Sequence, residues 1–552
     1  MSSSHSSRGP QFPSLPAVLL LTCALAVISG AAALAGDCPH GPQGKLYWVF
    51  FTDKGPGAAA ALEQLEAAFM PQRLQRLQRR SPLYRRTGRI SDEHDIPVNL
   101  EYLGALQSCA SGSVRYASRW LNAASIRLTP GEAHAVSRLP MVRGLALLRP
   151  MERIEAVPAE PAPPPSVAAT ASAGQSYGFD YGASLTQLLM LRVPEAHDMG
   201  YSGNGVIVCC MDTGFRTDHQ ALQSMNIVAQ HDFIFGDGNT QNEEGDDPGQ
   251  HRHGTGVVSV IGAFVPGQLI GPAYGASFIL AKTEDVRSET QIEEDNWVAG
   301  MEWADSLGAD VISSSLAYRT FDDGSGYSHA QLNGRTAVTT IAANLATERG
   351  IVVANAMGNE GPDSGTLDAP ADALKILSCG AVDAGEAIAS FSSRGPTGDG
   401  RLKPELSAMG VSTRWASSAG VTQYGFANGT SLSTPLIGAL AAVLIEAHPD
   451  WTPLKIREAL CFSGCHYNNP DNSFGYGIPD LVRAILDPRG ADTDGSGRVD
   501  GLDLALLGRS FGGSPGADRW DPGADLNGDD VVDGVDLALL SGYFGSRFPA
   551  DF

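Results

Sequence analysis

A chain of 552 residues is too long for one small domain and suggests three or four units. Its 43% apolar content supports real hydrophobic cores, while 64 Gly and 34 Pro put much of the chain in turns and loops. A formal net charge of -23 excludes a general nucleic-acid binder, which needs a basic surface; it suits an exported protein or one that holds divalent cations.

Arg8 precedes an apolar run from Leu15 to Ala35 that ends in Ala33-Leu34-Ala35. This is the layout of a secretory signal peptide over residues 1–35, so the protein is expected outside the cell, with no stable membrane insertion after cleavage. The competing reading is an uncleaved anchor, because the run is near the lower length limit for a spanning helix. Seven of the 8 cysteines follow the run. Cys209 and Cys210 fall in an expected core strand, where neighbouring side chains face opposite ways, and read as buried thiols. Cys461 and Cys465 could approach one another near a helix end, and Cys38 could pair with Cys109. None has a metal-ligand spacing.

Further along, Lys45–Phe51 reads as a strand, Leu62–Arg80 as a helical stretch, and a second helix-plus-strand pattern runs through Leu148. An α+β unit is expected over residues 36–157. Its basic cluster (Arg76, Arg79, Arg80, Arg85, Arg86 and Arg89) is either a solvated face or a surface that docks on acidic groups. Residues 158–176 are rich in Pro and Ala and read as a linker. From 177 to 488, short apolar runs alternate with amphipathic helical stretches: Gly205–Met211, Ala276–Ala281, Val311–Ser315, Ile351–Ala354 and Ile376–Val382. That alternation predicts an α/β fold with a mostly parallel sheet covered by helices on both faces. Residues 489–552 carry two similar segments, starting at Asp492 and Asp525, 33 residues apart.

Three places in the large unit put polar residues where a fold wants apolar ones. Asp212, in Met211-Asp212-Thr213-Gly214, ends a strand where parallel sheets place their sites. His253, in His251-Arg252-His253-Gly254-Thr255-Gly256, opens a small-residue run. Ser431, in Gly429-Thr430-Ser431-Leu432-Ser433-Thr434-Pro435, opens another, where a hydroxyl can attack and a free backbone N–H can receive negative charge. Together with Gly203-Asn204-Gly205-Val206, Asn359-Glu360-Gly361, Phe391-Ser392-Ser393-Arg394-Gly395-Pro396 and Lys403-Pro404-Glu405, these blocks resemble the subtilisin-like serine proteases, or subtilases, in their Asp–His–Ser order.

The resemblance implies Ser431 as nucleophile, His253 as general base, Asp212 as its orienting carboxylate and Asn359 as the oxyanion-hole side chain. It implies a substrate-binding edge at Ser315, Leu316 and Ala317, facing Met357 and Gly358. Protein or peptide substrates and an acyl-enzyme intermediate follow. Lys45–Phe51 and Ser118–Leu128 resemble the propeptide of this class, which implies a zymogen whose own propeptide assists folding, occupies the cleft and is cut away, here between Pro165 and Ser176. A catalytically degenerate component of a calcium-dependent surface complex is the alternative.

In the first C-terminal repeat Asp492, Asp494, Ser496, Asp500 and Asp503 occupy loop positions 1, 3, 5, 9 and 12, with the Arg498 carbonyl at 7. In the second, Asp525, Asn527, Asp529, Asp533 and Asp536 do so, with the Val531 carbonyl at 7. The spacing wraps oxygens around one hard cation, so Ca2+ is expected there; the catalytic domain is a second place where Ca2+ could bind. Each loop runs into Leu-Ala-Leu-Leu, giving a small all-α unit that resembles a dockerin-type module. The resemblance implies a cohesin-like receptor and hence association with a cell surface.

Overall fold

The structure is a computed structural model and describes residues 44–147, 177–287, 292–319, 326–487, 491–494, 496, 498–526 and 531–545. The expected signal segment, Cys38, the 158–176 linker, Asn527 and Asp529 lie outside the described residues.

The N-terminal unit is built on β1 (Lys45–Phe51), β2 (Val114–Ser118), β3 (Ala123–Leu128) and β4 (Val142–Leu147), paired antiparallel in the order β2-β3-β1-β4. The expected single helix from Leu62 to Arg80 is two helices, Ala58–Glu66 and α1 (Pro71–Arg80). Pro71 explains the break: lacking an N–H, it starts a helix after Met70 in extended conformation and cannot continue one. On β1, side chains alternate. Val49 and Phe51 join Ile126, Leu128 and Leu106 of α2 (Leu100–Ser108) in a small core, while Leu46 and Trp48 point into the large unit.

The large unit centres on a seven-stranded parallel sheet in the order β13-β12-β11-β10-β5-β9-β6. Its strands are β5 (Ile207–Asp212), β6 (Asn226–Asp232), β9 (Ser277–Lys282), β10 (Val311–Ser314), β11 (Val352–Ala356), β12 (Leu377–Val382) and β13 (Leu406–Met409); β7 (Phe264–Val265) and β8 (Leu269–Ile270) form a short ribbon, as do β14 (Thr413–Ala416) and β15 (Tyr424–Ala427). One core packs α3 (Arg252–Gly262), α6 (Thr430–Ala447) and α7 (Pro453–Ser463) on the sheet; the other packs α4 (Ile292–Leu307) and α5 (Val338–Glu348). Covering both faces makes the strands apolar throughout rather than alternating. α6 is long and apolar enough to cross a bilayer, yet it is the central core helix, 89% buried.

Trp48, Trp120, Leu121 and Ala123 of the N-terminal unit share a core with Trp297 and Met301 of α4 and Ala342 of α5. Charges frame that contact. Arg73, Arg76 and Arg80, spaced three and four apart, lie on one face of α1. Arg73 Nε donates to Asp305 Oδ2 at 3.0 Å, Arg76 pairs with Asp305 Oδ1 and donates to Ala309 O at 2.6 Å, and Arg80 pairs with Asp310. Arg119 reaches Asp305 at 3.2 Å, Arg115 reaches Asp295 at 3.0 Å, and Arg86 reaches Glu348 at 3.2 Å. Of the remaining expected cluster members, Arg79 stands 3.9 Å from Asp450 and Arg85 donates to its carbonyl. The basic cluster is thus an interface, not merely a solvated face.

The C-terminal unit pairs α8 (Gly501–Ser510) with α9 (Gly534–Tyr543). Its core is Ala491, Val499 and Leu507 with Ala524, Val532 and Leu540, each pair 33 residues apart. All six described cysteines are free thiols, so Cys461 and Cys465 are not joined. Cys461 is buried, whereas Cys465 is exposed and accepts the Ile478 N–H at 3.3 Å.

Candidate active site

The sheet changes side between β5 and β10: after β5 the chain forms β6 at one edge and returns to insert β9 between the two, and β10 to β13 then build outward on the other side of β5. The carboxyl ends of such a pair form the crevice where α/β sheets place their ligands. Asp212 is the last residue of β5, and Ser315 directly follows β10.

His253 is the second residue of α3, and its Nδ1 lies 2.7 Å from Asp212 Oδ1. That oxygen also accepts the Thr213 N–H at 2.7 Å and the Thr213 hydroxyl at 3.2 Å. A carboxylate oxygen only accepts, so the Nδ1 position carries the proton and Nε2 presents a lone pair. His253 Nε2 is buried and has no hydrogen-bond partner among the described residues. The glycine after His253 has a steric cause: a Cβ at Gly254 would run into Gly214 O and stand 3.0 Å from Asp212 Cβ. Only glycine lets α3 come this close to the end of β5.

Ser431 is the second residue of α6 and is fully buried. Its hydroxyl donates to Ser315 O at 3.3 Å, and Ser315 Oγ donates to Ser431 O at 2.9 Å. Pro435 accounts for the second bond. Four residues on from Ser431 inside α6, it has no N–H to offer the Ser431 carbonyl, and Ser315 supplies the missing donor. The exchange ties the end of β10 to the start of α6.

Asn359 Oδ1 accepts the Thr430 N–H at 3.0 Å and the Thr430 hydroxyl at 3.1 Å; that hydroxyl is also 3.2 Å from Gly358 O. The amide is therefore locked by its oxygen, which turns its NH2 group away from Thr430. Asn355, one strand position from Ala356, instead donates to Leu316 O and Ala356 O at 3.0 Å each and is used in the scaffold. Leu316 and Ala317 are buried beside β10, and Met357 sits in a small core with Leu332, Leu367 and Ala369.

In the C-terminal unit, carboxylate oxygens of Asp492, Asp494 and Asp503 lie within 4.8 Å of one another. Ser496 N–H donates to Asp492 Oδ1 at 3.0 Å and to Asp494 Oδ1 at 2.9 Å, and the Ser496 hydroxyl is 3.3 Å from Arg498 O. Asp500 and Asp533 cap α8 and α9, while Asp503 and Asp536 reach back to the cap N–H at 2.8 and 2.7 Å. Asp525 and Val531 stand at positions 1 and 7 of the second loop. In the large unit Asp232, Asp237 and Glu243 also converge, but Lys282 Nζ stands 2.8 Å from Asp232 Oδ2 and balances that charge.

Sequence reasoning did not single out Thr213 and Thr430, which fix Asp212 and Asn359, nor Arg73, Arg115 and Arg119 at the interface. Arg73 was within reach, since it shares the face of Arg76 and Arg80 at helical spacing.

The family model described as the Subtilase family matches residues 203–477, a Peptidase S8 propeptide domain of Bacteroidota matches 46–161, and the Dockerin type I domain matches 490–545. The chain is 31% identical to Serine protease AprX of Bacillus subtilis over 311 residues, covering 51% of this chain and 67% of that protein. It is 31% identical to Subtilisin of Bacillus pumilus over 291 residues, 52% of this chain and 92% of that one. Among solved structures, fervidolysin from Fervidobacterium pennivorans, a keratinolytic enzyme related to subtilisin, matches in fold with a TM-score of 0.59 at 20% identity. That match covers 82% of this chain and 62% of fervidolysin, so this chain spans less than two thirds of it.

Proposed function

Because this chain belongs to the subtilase family, with an S8-type propeptide before its catalytic part and a dockerin-type module after it, we propose that it is a secreted serine endopeptidase acting through Ser431, His253, Asp212 and Asn359. On this reading residues 36–157 are the propeptide, 158–176 hold the processing site, 177–488 form the catalytic domain and 489–552 the calcium module. The observation that carries it is the buried His253, tethered to Asp212 at 2.7 Å and offering an unpartnered Nε2 at the crevice where α6 presents Ser431.

Turning the Ser431 hydroxyl from Ser315 O to His253 Nε2 prepares the attack. As Oγ bonds to the peptide carbonyl carbon, its proton passes to Nε2, and Asp212 stabilises the imidazolium. The carbonyl oxygen becomes an oxyanion, received by the Asn359 NH2 and the Ser431 N–H at the start of α6. Collapse breaks the C–N bond and returns the proton to the leaving amine. Water then repeats the sequence on the acyl-enzyme, releasing the acid and restoring Ser431. A fluorophosphonate reagent should label position 431 of the matured protein, and peptide mapping that finds the label elsewhere, or none, overturns this assignment.

Asn359→Ala should keep its fold and much of its substrate binding while losing about 2.7–4 kcal/mol of transition-state stabilisation, the magnitude known for this donor in subtilisin. The check is kcat and KM on one peptide substrate; equal turnover by variant and parent removes Asn359 from the mechanism.

The three converging carboxylates of the first C-terminal loop fit a hard divalent cation, so Asp492, Asp494, Ser496, the Arg498 carbonyl, Asp500 and Asp503 would hold Ca2+, with the residues from Asp525 to Asp536 forming the second site. The ion neutralises oxygens that would otherwise repel. Adding a chelator to the full-length protein should therefore unfold residues 490–545, read as fast amide hydrogen exchange in α8 and α9 while the catalytic core stays protected. Unchanged exchange there would count against calcium. A cohesin-like receptor would dock on this module; Leu502 and Val535, 56% and 51% exposed at equivalent positions of the two repeats, are the apolar groups it would cover.

A further inference from the structure

The inference drawn here rests on the protease reading and deepens it, because it concerns the side chain that the primary pocket accepts. Segment 367–369 bridges Tyr318, which follows the Ser315–Ala317 edge, and Met357. Tyr318 and Ala369 exchange two backbone hydrogen bonds, at 2.8 and 3.1 Å, and the Asp368 N–H donates to Met357 O at 3.1 Å. The side chain that this segment carries into the protein is a carboxyl. Asp368 is 2% exposed, and its Oδ1 has no hydrogen-bond partner among the described residues.

A second carboxyl stands beside it. A Cβ at Gly358 would collide with Asp368 Oδ2 and lie 2.6 Å from Glu360 Oε2. Both acids therefore converge on the residue just before Asn359, the proposed oxyanion donor. Glu360 is held in place by Ser393, whose hydroxyl donates to Glu360 Oε2 at 2.9 Å and receives the Glu360 N–H at 3.0 Å. Neither carboxyl has an ion-pair partner among the described residues; Arg319, whose charge is felt at Asp368, spends its guanidinium on Leu367 O at 3.3 Å. Burial, with Glu360 alongside, pushes the Asp368 carboxyl well above the usual carboxylate range.

We propose that Asp368, backed by Glu360, determines specificity in the primary pocket and selects a cationic side chain, lysine or arginine, on the acyl side of the scissile bond. An entering ammonium or guanidinium supplies the donor that Oδ1 lacks. An apolar side chain leaves Oδ1 unpartnered, and an acidic one adds a third negative group. A site built to pair with a polar partner discriminates far more sharply against its absence than an apolar pocket does against a misfit.

The test starts with the matured wild-type enzyme, a denatured protein and mass-spectrometric mapping of the new termini. Lysine and arginine should dominate the position before the cut. For peptides differing only there, kcat/KM with arginine should exceed that with phenylalanine by about 100-fold or more, and D368N should lower this ratio by about 100-fold. E360Q should lower it less. Cleavage chiefly after large apolar residues, or a ratio that D368N leaves unchanged, overturns the proposal, makes the acid pair a brace for the 367–369 turn, and leaves the protease reading intact. No cleavage at all, with position 431 unlabelled, removes the protease reading and this proposal with it. The wild-type cleavage map decides the matter even if D368N fails to mature.

Discussion

Ser431→Ala should lower proteolysis by about 10^6-fold, the size of the loss in subtilisin when its serine is removed. It should also leave the secreted chain with its propeptide attached. The expectation follows from how the four groups divide the work. His253 and Asp212 act on the reaction only through a proton on Ser431 Oγ, so without that atom the 2.7 Å contact between them has nothing to activate. Asn359 and the N-terminus of α6 remain, and a residual rate of about 10^3–10^4 over water is what such oxyanion donors and binding leave behind. Parallel expression of parent and variant, followed by N-terminal sequencing and digestion of an unfolded protein, reads both effects. A variant that matures at the parental rate would mean that another protease does the processing. A variant that also digests would mean that the nucleophile is elsewhere.

What the sequence revealed depended on whether a feature is local. The strands β5, β9, β10, β11 and β12 were readable because burial on both faces makes each an unbroken apolar run. β6 was not: Asn226-Ile227-Val228-Ala229-Gln230-His231-Asp232 lies at the sheet edge, mixes polar with apolar residues and is only half-buried. β13 spans four residues, too few for a periodic signal. The Asp, His and Ser motifs could be read because each is a short string with its own steric logic, Gly254 among them. The bond from Ser315 Oγ to the Ser431 carbonyl could not, since it depends on Pro435 freeing a carbonyl that Ser315, 116 residues away in sequence, then captures. Asp368 looks like any loop aspartate until the fold brings it against Gly358.

The propeptide interface shows the same division. The arginine cluster stood out against an acidic chain, but its partner did not, because Arg76 and Asp305 are 229 residues apart. Nothing in the composition distinguishes Asp305 from the other 60 acidic residues among the 61. Its role arises from position: it lies near the end of α4, where three arginines from two elements of the N-terminal unit converge on one carboxylate.

That convergence makes Asp305 the residue whose loss should most weaken the zymogen without touching the catalytic groups. Asp305, Arg73 and Arg76 are all buried, so Asp305→Ala leaves the Arg76 guanidinium desolvated without a carboxylate and Arg73 with Asp95 alone, with Arg119 also losing a partner. Breaking a buried pair from one side costs about 3–5 kcal/mol, against about 1 kcal/mol or less for an exposed one. In the Ser431→Ala background, where the chain stays intact, chemical denaturation should show this loss. The matured domain, from which all three arginines have departed, should be nearly unaffected by the same change. A loss below about 1 kcal/mol in the intact chain would mean that apolar packing around Trp48 and Trp120, not charge, holds the propeptide. The pH dependence is also fixed in sign. Burial raises the Asp305 carboxyl, but Arg73, Arg76, Arg119 and Arg349 outweigh it and hold it below the ordinary range. A lowered carboxyl contributes fully above its ordinary value near 4 and loses its contribution only as pH falls through the depressed one. Asp295 runs the other way: burial, opposed by Arg115, pushes it up to about 6. A raised carboxyl binds its proton more tightly in the complex, so its unfavourable contribution is relieved as pH falls below about 6. Neither group releases the propeptide in mild acid, so the loss that Asp305→Ala causes in the intact chain should be as large at pH 5 as at pH 7.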